Sequence, residues 1–418
     1  MNSAKLCIIG SEVTNGFILD RNGQFFAQEL AKLGISVSET RVIRDDKKQM
    51  LSTLSEFSDS GEFVITSGGL GPTNDDLTVD VLCELIRKPP VYSEKAKRKT
   101  ELVFKRRLRT REPGGSSQRT LEQALRQCRL PEGAVELDNS SGLAPGIFLP
   151  DINLIALPGF PMEIKAIWPG VQSIIKELVK DPRALEIIPI WGVGESNLFS
   201  KLAIPEDIVV GVHAMPFGCR LFLSSENKGS NLAQVASDIR LQFAGQICDD
   251  PIYEIYQALE QRGLSLSTCE SCTGGLAASL LTQQAGISSV FKGSIVAYAN
   301  EVKVNQLGVT EAQLEKSGAV SRIVAAQMAL GGQDALGTDY CLSFTGVAGP
   351  GGGTQEKPVG TVFIGLATPG QVKTAKFSYP MDRERFQKLT VYTGFLALWQ
   401  SLAQEGNQDV FPVSQFRL

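Results

Sequence analysis

The sequence predicts an α/β protein of two or three domains. Short apolar runs alternate with helical patterns over residues 5–170, and the alternation returns over 251–400. Residues 171–250 between them carry a different, shorter pattern. A chain of 418 residues is also too long for one core. Strands alternating with helices predict a parallel sheet, whose ligand sites lie beyond the carboxyl ends of the strands.

The elements follow in order. In the first region the strand candidates are Leu6–Ile9, Ser36–Val42, Phe63–Thr66 and Leu154–Leu157. Helix candidates are Gly23–Leu33, Lys47–Ser58 and Asp76–Leu85. Segment 93–129 is strongly basic and includes K-A-K-R-K-T-E-L-V-F-K-R-R-L-R-T-R at 95–111. It reads as a solvated helical arm, with phosphate or nucleic-acid binding as the rival. The second region holds a helix pattern at Val171–Val179, a turn at 192–199, strand candidates Ile208–His213 and Cys219–Ser224, and a helix Asn231–Phe243. This is a small α+β module. In the third, a strand-like run, Leu264–Leu266, leads into C-E-S-C-T-G-G at 269–275. A small-residue helix pattern follows from Gly275 to Thr282. The polar tail after Gln404 reads as loosely held.

Composition excludes several classes. Hydrophobic residues are 43% and charged residues 21%, as expected for a soluble globular protein, and no apolar run is long enough to cross a membrane. The net charge of −4 argues against non-specific nucleic-acid binding as the main role. The chain enters its first strand without a signal-peptide plan, so a cytoplasmic location is expected. The eight cysteines are thinly spread and suggest no disulfide scaffold. The single histidine, His213, rules out multi-histidine metal sites within one chain. It lies in a strand-like run and reads as a strand residue. Cys269 and Cys272 form a C-x-x-C, but no second pair and no nearby histidine accompany them. Two small buried residues flanking Ser271 are the favoured reading.

Two constellations carry chemistry. The first is I-T-S-G-G-L-G-P-T-N-D-D-L-T at 65–78. Ser67, Gly68, Gly69, Gly71 and Thr73 follow a strand end and can offer N–H groups to a phosphate. Asp75 and Asp76 beside them would repel a phosphate unless a divalent cation bridges them. The plainer reading makes Asp76 a helix N-cap, which leaves Asp75 the freer carboxylate. Glu12 and Asp45, near other strand ends, are further metal-ligand candidates.

The second constellation centres on Ser271, in a strand-to-helix turn that exposes a side-chain oxygen beside free N–H groups. A serine nucleophile needs a base, and this region has no histidine. Lys303 in Y-A-N-E-V-K is the candidate, provided burial or a neighbouring cation removes its proton near neutral pH. Tyr298 can relay a proton or orient Lys303. N–H groups at Thr273, Gly274 and Gly275 can hold an oxyanion. Gly346, Gly349, Gly351 and Gly352, in T-G-V-A-G-P-G-G-G, offer N–H groups to a phosphate, and Arg383 can add charge.

These motifs carry a resemblance. I-I-G-S-E-V-T-N-G, S-G-G-L-G-P-T-N-D-D-L-T, L-A-P-G-I-F and A-L-P-G-F-P-M-E-I resemble the CinA family. So do T-C-E-S-C-T-G-G, G-I-S-S-V-F-K-G, Y-A-N-E-V-K, G-A-V-S, the long glycine loop and M-D-R-E-R. The resemblance implies a molybdopterin-binding-like domain over 1–170 that hydrolyses ADP-ribose to AMP and ribose 5-phosphate, with a divalent cation, magnesium or cobalt. It implies a connecting domain similar to KH modules over 171–250. G-V-G-E at 192–195 does not fit the G-x-x-G loop of RNA-binding KH domains, so a spacer or dimer arm is expected. Residues 251–418 resemble the family's nicotinamide-nucleotide amidase domain, which converts nicotinamide mononucleotide and water to nicotinate mononucleotide and ammonia without a metal. Ser288 matches a family active-site serine. Met162 and Gln387 stand where the family commonly has arginine. A homodimer is the family expectation; membrane and nucleic-acid partners are not expected. The rival readings are a competence- or damage-linked regulatory protein and a molybdopterin-binding protein without hydrolase activity.

Overall fold

The computed structural model describes residues 2–109, 117–179, 184–225, 227, 230–403, 412 and 415. The end of the basic arm, 110–111, and most of the tail beyond 403 lie outside the described residues. The chain forms two compact units, Met1–Leu185 and Glu186–Leu418. No helix among the described residues is long and apolar enough to cross a membrane.

The first unit is built on a six-stranded sheet. Its order is Ser36–Ile43, Ser3–Ile9, Phe63–Ser67, Leu154–Leu157, Gly146–Leu149 and Val135–Leu137. The first four strands are mutually parallel and the last two pairings are antiparallel. The four parallel strands are the four expected. Side-chain alternation explains the two cores. Leu6, Ile8 and Ile65 meet Phe26, Leu30 and Trp168 on one face. Cys7, Ile9 and Val64 meet Met50, Leu54 and Leu82 on the other.

Two expectations are corrected here. The helix expected at Val171–Val179 is the second half of Pro161–Leu178. Ile164, Ile167, Trp168, Val171 and Ile175 recur at helical spacing and fill one core of the first unit. The expected boundary between 170 and 171 therefore falls inside one helix. Second, the helix expected from Asp76 begins at Thr78, and Asp76 is not its N-cap.

The second unit contains two sheets. The smaller has the order Val209–Met215, Gly218–Ser225, Ala184–Trp191, the first two forming an antiparallel hairpin and the third beginning two residues before the unit's boundary. Helix Leu232–Gln242 buries Ala236 and Ile239 in a cluster with Ile188, Leu221 and Leu223. Ala184–Trp191 was not anticipated as a strand.

The larger sheet has the order Phe291–Val296, Leu266–Glu270, Tyr340–Gly346, Thr361–Thr368, Gln371–Ser378. The first three strands are parallel and the last two antiparallel. The strand expected at Leu264–Leu266 runs instead over Leu266–Glu270, so Cys269 and Glu270 are strand residues and the turn begins at Ser271. Register decides what meets at one edge. Glu270 pairs Val296 and Phe344, Gly346 pairs Val362, and Thr361 pairs Ser378. The chain following 270, 296, 346 and 378 thus converges on one edge of the sheet.

Candidate functional site

Ser271 sits at that edge, half-buried, with its N–H donating to the Phe344 carbonyl at 2.9 Å. The residue before it sets the turn. Glu270 is fully buried, and its carboxylate accepts from the N–H groups of Gly275 (2.9 Å), Ala277 (3.0 Å) and Ala278 (2.9 Å). The Ser294 hydroxyl adds a fourth bond at 3.3 Å. A carboxylate is the natural partner for N–H groups opening a helix, here Leu276–Leu281. Sequence reasoning missed Glu270; an acid directly before a serine turn is the signal that marks it.

This carboxylate narrows the oxyanion expectation. The Gly274 N–H donates to the Ser271 carbonyl, and the Gly275 N–H is held by Glu270. Of the turn's N–H groups, those of Cys272 and Thr273 are taken neither by Glu270 nor by a turn carbonyl. The Thr273 hydroxyl is buried and finds no hydrogen-bond partner among the described residues. Thr66, Thr268 and Thr390 share this state within the packed interior, but Thr273 lies in the turn, where a ligand group can complete the bond.

Lys303 follows the neighbouring strand Phe291–Val296 and lies in helix Asn300–Leu307. It is only 1% exposed. Its Nζ donates to the carbonyls of Ala297 (2.7 Å) and Tyr298 (3.1 Å). Burial lowers its pKa below the ordinary lysine value. When deprotonated, an amine donating to those two carbonyls uses both of its N–H bonds and keeps its lone pair free. Cys272, next to Ser271, feels the charges of both Lys303 and Arg383, although burial still pushes its thiol up to about 12.

Two expected partners fall elsewhere. The Tyr298 side chain is 64% exposed, and its carbonyl, not its phenol, holds Lys303. Ser288 is exposed in the short turn Ile287–Ser289, before the strand whose first residue, Phe291, pairs Leu266. That is the amino-terminal edge of the sheet, and the five-residue strand Leu266–Glu270 puts Ser271 about 15 Å away along it. Parallel register therefore separates Ser288 from Ser271.

The glycine loop meets the turn from the other side. Gly346 ends strand Tyr340–Gly346, and Gly349, Gly351 and Gly352 follow. Gly349 has φ +76°, and a Cβ there would sit 2.5 Å from Val359 Cγ1, so only glycine fits. Lys357, unmarked by the sequence reading, pins the loop by donating to the Ser317 carbonyl at 2.6 Å. Arg383 opens helix Arg383–Ala403 and is exposed. Gln387, at the family's arginine position, donates through Nε2 to the Cys272 carbonyl at 2.9 Å. It ties that helix to the serine turn. The two cysteines of the C-x-x-C go to different cores, Cys269 beside Cys341 (Sγ–Sγ 3.8 Å) and Cys272 with Phe344 and Phe386. Strand geometry explains it: one is a strand residue and the other a turn residue.

In the first unit the 67–78 run is closed upon itself. Ser67 Oγ donates to the Pro158 carbonyl (2.9 Å) and Thr78 Oγ1 to the Gly68 carbonyl (2.7 Å). Gly68 has φ +113°, and a Cβ there would strike the Ile9 carbonyl oxygen. Asp76 accepts from the Gly71 N–H (2.8 Å), the Thr73 N–H (2.8 Å) and the Thr73 hydroxyl (2.6 Å). Asp45 accepts from the Ser11 N–H (2.8 Å) and hydroxyl (2.9 Å). Asp75 and Glu12 are exposed. Among the described residues no group of three or more His, Cys, Asp and Glu could hold a metal ion. The four expected metal ligands do not fit a cation site. What the unit offers instead is a cleft of about 380 Å³ lined by Glu12, Asp20, Arg21, Asn22 and Gly159. Asn22 Nδ2 links that cleft to the glycine run through Ser67 Oγ (3.1 Å) and the Gly159 carbonyl (2.8 Å).

Fold and sites together define a multidomain α/β protein with glycine-loop sites beyond its strand ends. Comparison with known proteins narrows this. Residues 250–402 match the CinA C-terminal domain and residues 5–177 the probable molybdopterin binding domain. A CinA-like protein of Rippkaea orientalis is 37% identical over 414 residues, covering 94% of this chain and 97% of the relative. A CinA-like protein of Thermosynechococcus vestitus is 36% identical over 407 residues, covering 92% and 94%. The solved structure of the competence/damage inducible protein CihA from Agrobacterium tumefaciens is 39% identical, covering 37% of this chain and 97% of that one, with a TM-score of 0.35. The chain belongs to the CinA family.

Proposed function

We propose that the second unit hydrolyses the carboxamide of nicotinamide mononucleotide, giving nicotinate mononucleotide and ammonia. The observation that carries this reading is Lys303, a buried amine with a lowered pKa held by two carbonyls beside the Ser271 turn. Perturbed groups of this kind concentrate at catalytic sites. Ser271 Oγ attacks the carboxamide carbon while Lys303 takes the hydroxyl proton. The Cys272 and Thr273 N–H groups stabilise the oxyanion. Lys303 then gives its proton to the leaving nitrogen, and ammonia departs from an acyl-serine. Water, deprotonated by Lys303, releases the carboxylate product. The loop Gly346–Gly353 and Arg383 hold the 5′-phosphate. The test is purified protein with nicotinamide mononucleotide, following ammonia and nicotinate mononucleotide. Absence of both products overturns the reading, as does full activity in Ser271→Ala.

A second reading concerns the first unit. The cleft beside Asn22 favours binding of ADP-ribose, with Arg21 near its phosphates and the carboxylates of Asp20 and Glu12 near its ribose hydroxyls. Titration of ADP-ribose into Asn22→Ala and wild-type protein tests it, equal affinity being the contrary result. Molybdopterin binding in place of ADP-ribose is the rival outcome.

A further inference from the structure

A second cleft in the Glu186–Leu418 unit, of about 390 Å³, lies at the far end of the helix that follows Ser271. One wall is the hairpin of the three-stranded sheet. The other comes from helices Pro251–Arg262 and Arg383–Ala403 and the end of Leu276–Leu281. Its volume falls within the range of small-molecule sites.

The lining is chemically divided. His213 and Arg220 are direct cross-strand partners, so their side chains share one face of the hairpin. Arg220 is half-buried and makes no ion pair or hydrogen bond among the described residues. A guanidinium partly out of water is costly without an anion beside it. Across the cleft lie Asp249 and Asp250, and Asp250 Oδ1 accepts the Ile252 N–H at 2.9 Å. Neither carboxylate pairs with Arg220. Part of the lining is aromatic. Tyr392 stacks on Trp191 with centroids 5.5 Å apart and planes at 20°, and Trp191 Nε1 is fixed on the Cys248 carbonyl at 2.8 Å. The ring that lines the cleft is thus held in place before any ligand arrives.

We propose that this cleft binds a nucleoside monophosphate. An unpaired guanidinium with a histidine beside it suits a phosphate. Carboxylates suit ribose hydroxyls, as in dinucleotide sites. An immobilised tyrosine suits a planar base, and the amides of Gln283 and Gln284 can meet its polar edge. An inorganic anion leaves the carboxylates and ring unused, and an apolar ligand leaves the charges unpaired.

The assignment does not rest on the amidase reading. AMP is the probe, titrated calorimetrically into the full chain, with adenosine and inorganic phosphate as separate arms. Saturable AMP binding is expected, with Arg220→Ala weakening or removing one class of site by about tenfold or more. Adenosine and phosphate alone should each bind at least tenfold more weakly. Asp249→Asn, an exposed and near-isosteric change, gives a second variant should Arg220→Ala fold poorly, and is expected to weaken AMP several-fold. Ser271→Ala should bind AMP as wild type does, so loss of amide hydrolysis and loss of this site are separate results. No AMP binding, or equal affinity in wild type, Arg220→Ala and Asp249→Asn, overturns the proposal.

Discussion

The two glycine-run sites share a plan and differ in one respect. Each lies beyond a strand end, and each has an acid folded onto its own turn. Asp76 closes the Gly71–Thr73 loop, and Glu270 closes the start of helix Leu276–Leu281. In the first unit the loop hydroxyls are satisfied internally, Ser67 by Pro158, Thr73 by Asp76 and Thr78 by Gly68, while the strand residue Thr66 keeps a buried hydroxyl without a partner among the described residues. In the second, the Thr273 hydroxyl has no partner among the described residues, and the buried amine of Lys303 interacts electrostatically with Cys272 of the turn. A glycine run with an acid therefore specifies a loop shape. A displaced proton affinity beside the turn marks where chemistry can occur, since unfilled hydrogen bonds are found in both units.

Ser271→Ala should lower nicotinamide mononucleotide turnover on the order of 10⁴-fold or more, measured as ammonia release. Lys303→Met should lower kcat by roughly 10²–10⁴-fold and leave a folded protein, since it removes a buried amine and keeps the aliphatic length. Thermal melting and turnover together check this.

The pH dependence sharpens the role of Lys303. Its folded pKa lies below its unfolded value, because burial disfavours the charged form. Turnover should therefore rise with pH as Lys303 loses its proton, on a limb below the ordinary lysine range, and Lys303→Met should remove that limb. Stability carries the same sign. Between the folded and unfolded pKa values the unfolded chain holds the extra proton, so this contribution grows as pH rises and is lost as pH falls through the folded value.

Smaller effects separate the two acids. Glu270→Gln puts an amide where N–H donors converge and should cost about 1–3 kcal/mol of stability, with a fall in kcat as the serine turn shifts. Asp76→Asn should cost about 1–2 kcal/mol and leave nicotinamide mononucleotide turnover unchanged. Denaturant melts and turnover on the same preparations test both. If Asp76→Asn slows the amidase as strongly as Glu270→Gln, the division between the two sites is wrong.

Much of this protein was legible in its residues. The four parallel strands of the first unit announced themselves as short branched-apolar runs, because a strand covered on both faces has no polar side to show. Ser271, Lys303 and the Gly346–Gly353 loop were legible because no histidine was at hand and because glycine tolerates backbone that other residues do not. Other features depended on distance across the fold. Ser288 matched a motif, yet parallel register carries it to the opposite edge of the sheet from Ser271. Val171–Val179 looked like the start of a new module, yet Trp168 and Ile175 bind that segment to the first unit's core. Residue types, spacing and strand periodicity are local, and the sequence by itself determined them: an α/β chain with a serine turn, a lysine and glycine loops. Burial of Lys303, capture of helix N–H groups by Glu270 and closure of the first loop by Asp76 required tertiary structure. Proton affinity and hydrogen-bond availability depend on which groups lie within a few ångströms, and only the fold sets those distances.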